Sequence, residues 1–285
     1  MAKRHFGLLV TLLLLAAPVA AEASNRTETD HLIIEWADGT PQEAIDAAVA
    51  KGEKYYAAVE KMLGHAPPAA EAPKVTILLQ GPGERPDGSR GYPHVDSSAR
   101  VHLFQFGPTW HSYFSALAHE MVHVFRFRRQ PYPDWFFEEG FAEFVSLRID
   151  PSLAGFPWFD FPVTVVAGQW VTRGEDIPLA TLRSKHRSVN QPCKAQAYAL
   201  RSDFFDYLGR TCGDDTVLGM AAEEHIGDAS QYKRHFGADL ETLEMQWRED
   251  LQTRYRRLDD ADGQARSYRE SPIKYMHVCE KGREF

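Results

Sequence analysis

The stretch Ala118-His119-Glu120-Met121-Val122-His123, with Pro133-Asp134-Trp135-Phe136-Phe137-Glu138-Glu139-Gly140-Phe141-Ala142-Glu143-Phe144 just after it, decides how this chain is read. Phe114, Leu117, Met121, Val124 and Phe125 recur at helical spacing, so the first stretch sits on an amphipathic helix over about 110–129. Pro131 and Pro133 end that helix. Asp134 then caps a second helix, running from Trp135 to about Leu147. Positions i and i+4 share a helix face, so His119 and His123 point the same way and two imidazoles can grip one ion. Glu120 lies one step round the helix, within reach of a water on that ion.

A hydrolytic zinc takes three protein ligands and keeps one position for water. The third ligand must come from another element that folds back. Glu139 is the candidate, sixteen residues beyond His123 and past a Pro-rich reversal; Glu138 competes but points about 100° away. Gly140 is expected to let the two helices approach closely. These residues predict one Zn2+ per chain, held by His119, His123 and Glu139. Zinc lowers the pKa of bound water to about 7. Glu120 would act as general base and return the proton to the leaving amine. Glu143, one turn after Glu139, is expected to fix the free N–H of His119 or His123. Tyr198 is the candidate donor to a developing oxyanion, against the alternative of a core wedge; Tyr207 reads as core. His94, His102, His111, His225 and His235 have no partner at ligand spacing and read as surface or core residues.

Working outward, Leu32–Trp36, Val75–Leu79 and Val101–Phe106 read as strands, the last as an edge strand beside a cleft. Between the first two lies a helix opened by Thr40, Pro41 and Glu43 as a capping box and ended by Gly64. Residues 66–73 read as a linker turn and 81–92 as a long loop; 150–191 read as aromatic and irregular. Helices follow over about 195–208, 213–225, 228–236 and 239–258, then a charged tail over 259–285. Strands first and helices after predict an α+β chain, with a small mixed lobe (about 24–130) and a mainly helical lobe (131–258), the motif helix at their boundary.

Lys3 and Arg4, the apolar run Phe6–Ala20 and small residues around 21–23 read as a signal peptide over residues 1–23. The run is shorter than the roughly 20 residues of a spanning helix. The expectation is an exported protein, periplasmic or secreted, without an integral membrane segment after cleavage. The net charge is −8, and loss of Lys3, Arg4 and Glu22 leaves −9, which argues against a nucleic-acid partner. Of the three cysteines, Cys193 and Cys212 flank one helix of about 28 Å, too far apart to bridge, so any disulfide should use Cys279.

Two further segments join the pattern: Tyr198-Ala-Leu-Arg-Ser-Asp-Phe-Phe-Asp-Tyr-Leu208 and Phe236-Gly-Ala-Asp-Leu-Glu-Thr-Leu-Glu-Met-Gln-Trp-Arg-Glu-Asp-Leu251. Together these stretches resemble the gluzincin branch of metallopeptidases, in its peptidase MA-like families. The resemblance implies a thermolysin-like zincin fold, zinc on His119, His123 and Glu139, Glu120 as base, a tyrosine at position 198 opening a helix, and a peptide or protein substrate. Arg126 and Arg129 stand where a metzincin would need Gly and His, which sets that branch aside. The competing expectations are an inactive metal-binding or assembly protein on this scaffold, its cleft blocked by segment 156–170, and a zinc hydrolase of a non-peptide amide or ester.

Overall fold

The computed structural model describes residues 25–63, 74–82, 93–105, 113–127, 134–152, 162–184, 194–223 and 229–262. The architecture is mixed: a small five-stranded sheet and a larger set of helices. The strands are β1 (Asn25–Glu28), β2 (Leu32–Trp36), β3 (Val75–Pro82), β4 (His94–Val95) and β5 (Val101–Gln105), in the order β1-β2-β3-β5-β4. β1 pairs antiparallel with β2; β2, β3 and β5 run parallel; β4 returns antiparallel along β5. A parallel pair needs a crossover, and α1 (Gln42–Leu63) supplies it between β2 and β3. Leu32, Ile34, Val75, Ile77, Leu79, Val101 and Leu103 alternate with more exposed neighbours and are buried, so one sheet face is covered. Gly52 lets α1 come down on that face, because a Cβ there would overlap the Leu32 side chain.

α2 (Tyr113–Phe127) packs on β5, β4 and α1, and α3 (Trp135–Ile149) packs on α2. Beyond them lie α4 (Val163–Arg173), α5 (Leu179–Ser184), α6 (Lys194–Cys212), α7 (Asp214–Ala221), α8 (Ala229–Phe236) and α9 (Leu240–Asp262). α6 lies against α3, and its own position is fixed by the buried Asp203. That carboxylate accepts from Trp247 Nε1 at 2.9 Å, from Thr164 Oγ1 at 2.8 Å and from Arg254 Nη2 at 2.6 Å, tying α9 and α4 to α6. One continuous apolar core runs from the sheet through α2 and α3 to α6 and α9. No helix among the described residues is long and apolar enough to cross a membrane.

Several expectations change here. β5 is not the sheet edge, because the two residues of β4 lie outside it. Residues 150–191 are not wholly irregular, since α4 and α5 form inside them. The Thr40 hydroxyl donates back to Ala37 O at 2.8 Å, and the first bonds of α1 run from Ala44 and Ile45 to Pro41 O. Asp134 does cap α3, accepting from Phe136 N and Phe137 N at 3.0 and 3.3 Å. The loop read over 81–92 begins later, because Gly81 and Pro82 end β3, and the tail read from 259 begins later, because α9 runs to Asp262. The signal-peptide reading, the turn 66–73, residues 83–92 and 263–285, and Cys193 all lie outside the described residues.

Candidate metal centre

α2 and α3 meet face to face, and the meeting point is the motif. His119 and His123 are buried on α2, with Nε2 atoms 3.0 Å apart and rings 4.7 Å apart, nearly perpendicular. Glu139 of α3 brings Oε2 to 3.3 Å from His119 Nε2 and 3.8 Å from His123 Nε2. The three residues form the metal-competent group found among the described residues.

The fit to an ion can be tested on these distances. Zinc bonds of about 2.0–2.2 Å in a tetrahedron place ligand atoms ~3.4 Å apart. The observed separations of 3.0, 3.3 and 3.8 Å bracket that value. Glu139 Oε2 is buried and makes no hydrogen bond, although it faces both imidazoles. A buried carboxylate oxygen without a partner is costly in a closed protein and expected where a cation sits. The donor set of two imidazoles and one carboxylate suits a divalent transition-metal ion.

Glu138, the competing ligand, is drawn elsewhere. Its carboxylate takes the Arg126 guanidinium in a forked pair, with Nη2 to Oε1 at 2.7 Å and Nε to both oxygens at 3.2 Å. Arg126 also donates to Ala221 O of α7 and lies over the Phe137 and Phe141 rings. The helical offset therefore sends Glu138 to a structural ion pair and leaves Glu139 for the histidines. Gly140 permits a close approach, but of α6 to α3: a Cβ there would overlap the Phe205 ring.

Around this group the electrostatics are strongly coupled. Glu143 Oε1 lies 3.1 Å from His119 Nδ1, the ring nitrogen on the side away from Glu139. Burial would push His119 down, but Glu143 and Glu139 hold it well above the usual histidine range. Burial opposes ionisation of Glu139, yet His119 and His123 hold it well below the carboxylate range. Glu120 behaves differently. Burial raises its carboxyl, and the charge of Glu139 adds to that against the pull of His119 and His123. Tyr198 reaches the site from α6: its hydroxyl is in hydrogen-bonding reach of Glu139, and its ring lies 6.1 Å from that of His119. Burial and then the Glu139 charge push the phenol well above 10, so it stays an O–H donor. Tyr207 is buried in the core, as expected.

No protein-family model matches the chain, and no curated protein matches it. What the site can do therefore rests on its own geometry.

Arg201 was not anticipated by the sequence reading. It is fully buried one turn after Tyr198, with its guanidinium 5.8 Å from the Tyr198 ring centroid. Burial pushes its pKa down, and the charge of Glu139 opposes that. The spacing Tyr198-x-x-Arg201 on one helix face was the available signal.

Proposed function

We propose that this protein is an exported zinc-dependent hydrolase, a metallopeptidase with a zincin-type site, acting on peptide or protein substrates. The observation that carries the reading is a buried His119–His123–Glu139 group, spaced for one tetrahedral ion, with the raised carboxyl of Glu120 beside it. A protein that used the metal only to hold its fold would have no need of Glu120.

His119, His123 and Glu139 would hold the ion. Bound there, zinc supplies a Lewis acid and a water acidic enough to be deprotonated near neutral pH. Glu120 is the residue that would take a proton from the attacking water and hand it to the leaving amine; a carboxyl raised by burial is suited to both transfers. Glu143 fixes the ring of His119 through Nδ1 and so keeps Nε2 turned towards the site. Tyr198 contributes a neutral O–H from α6, a donor for the substrate oxygen on which negative charge develops. The signal-like N-terminus supports export.

The test is metal analysis of residues 24–285, joined to hydrolysis of a mixed peptide library by the wild type and by Glu120→Gln. The expected result is about one zinc in both proteins, chelator-sensitive cleavage by the wild type and none by the variant. Zinc bound without peptide cleavage would move the reading to a non-peptide amide or ester, or to a binding role. Folded protein that takes no zinc would remove it.

A further inference from the structure

His94, Asp96 and His102 lack ligand spacing and belong to no metal cluster among the described residues, yet the fold gathers them beside α2. His94 lies on β4, the outer strand of the sheet, and pairs with His102 across the β4–β5 ladder. Both nitrogens of His102 are engaged. Gln80 Nε2 faces Nδ1 at 2.8 Å and, as an amide nitrogen, donates to it, so Nδ1 accepts. Nε2 then carries the proton and donates to Asp96 Oδ2 at 2.9 Å. Asp96 in turn accepts from Ser98 N, Arg100 N and Arg100 Nε. Burial pushes His102 below the histidine range despite Asp96, so its ring is neutral and fixed.

On this fixed ring His94 stacks almost flat, with centroids 4.5 Å apart and an interplanar angle of 7°, and Phe104 stands 6.1 Å away. His94 itself is exposed. Because β4 packs on α2, the His94 imidazole comes within electrostatic reach of Glu120. Glu120 is thus faced by His94 from the sheet and by Tyr198 from α6. His94 meets the His102 ring across the ladder and acts on Glu120 from the sheet side, while Asp96 and Arg100 act on His102.

We propose that His94 is a substrate-contacting residue of this site, its imidazole donating a hydrogen bond to a carbonyl oxygen of a peptide-like substrate on the β4 side of Glu120. The inference rests on the metallohydrolase reading above. The carboxylates of the site can only accept, so a donor on the sheet side suits a carbonyl-rich substrate. Stacking on His102 sets the ring plane in advance and lowers the entropy lost on binding.

The test uses the zinc-loaded chain and a dipeptide hydroxamate as probe. Calorimetry gives the probe's Kd for wild type, His94→Ala and His94→Gln, with zinc content measured alongside. His94→Ala should weaken the probe about three- to tenfold, the size of one hydrogen bond. His94→Gln, which keeps an N–H donor, should recover most of that loss, with zinc content equal in all three. In wild type, acylation of His94 by diethyl pyrocarbonate, read by mass spectrometry, should slow when the probe is bound, while His31, paired with Glu53, is unaffected. Equal affinity in His94→Ala, or no protection of His94, overturns the inference and leaves the metal site standing. Failure of the wild type to bind zinc or the probe overturns the metallohydrolase reading and this inference with it.

Discussion

Two residues carry the finest adjustments of the site. Glu143 Oε1 stands 3.1 Å from His119 Nδ1, the place from which a carboxylate can orient a metal-binding imidazole. Partners of this kind are worth about 10- to 100-fold in metal affinity. Glu143→Gln should therefore bind zinc 10- to 100-fold more weakly in a competition assay against a chromogenic chelator, with the fold intact by circular dichroism; unchanged affinity would deny Glu143 that role. Gly140 answers to packing alone. Its Cα lies under the Phe205 ring, so a methyl group there forces the ring or the helix to move. Gly140→Ala gains helix propensity of about 1 kcal/mol but meets an overlap with a buried aromatic, and overpacking of this kind costs about 1–3 kcal/mol. Urea unfolding should show a net loss of stability, and Gly140→Ala with Phe205→Leu should recover part of it.

At the scale of elements, the contact of α2 with α3 is held by a buried ion pair as well as by apolar packing. Arg126 and Glu138 are both buried and engage each other as a fork. Removing one partner strands a charge in the core, at a cost of about 3–5 kcal/mol, whereas replacing both with apolar residues is often close to neutral. Arg126→Met should thus be strongly destabilising in denaturant melts, and Arg126→Met with Glu138→Leu much less so; equal losses in the two would show that the pair is not acting as a unit. This pair also explains what could be read from the sequence. That His119, His123 and Glu139 come together in one group was legible because ligand chemistry dictates both residue type and helical offset. That Glu138 turns away was legible only as an angle, since its partner Arg126 comes from another helix. α4 was missed because Val163, Val165, Val166 and Val171 are β-branched residues that favour strands, and packing against α6 and α9 overrides that preference. Its stop was visible in Gly174, which takes the left-handed conformation at φ 63°. β1 and β4 were missed because they are short, polar edge strands of four and two residues, each held only by its hairpin with the strand that follows. Arg201 and His94 were passed over for a related reason: neither has a ligand-spaced partner, and only the fold carries them to Glu139 and Glu120.

At the scale of the whole molecule, the site lies where the sheet-bound α2, the linking α3 and the α6 side of the core converge. Away from it, a second charged cluster ties α8 back to the end of α7. There Gln231, Arg234 and His235 all bond to Glu223 and hold its carboxyl down at about 2, against an ordinary 4.5. A carboxylate with a lowered folded pKa contributes stability that is present above its unfolded pKa and is lost as pH falls through the folded value. Wild type should therefore lose more stability than Glu223→Gln between about pH 5 and pH 2. Curves that run parallel over that range would show that the cluster is not linked to folding. Metal removal acts on the other side of the molecule's balance. The ligands come from two helices, and Tyr198 and Arg201 of a third helix surround Glu139, so an ion there cross-links packed layers without replacing the apolar core. The stripped protein should remain folded but melt at a lower temperature. A ligand that binds only the native state contributes about 4 kcal/mol at a thousandfold excess over its Kd, which for a chain of this size corresponds to a rise in Tm of roughly 8–16 °C. Thermal melts with and without zinc should show that shift in wild type and in Glu120→Gln, which keeps all three ligands. They should not show it in Glu139→Ala, where the third ligand is gone and two imidazoles from one helix no longer join α2 to α3. A shift that survives in Glu139→Ala would place the ion elsewhere.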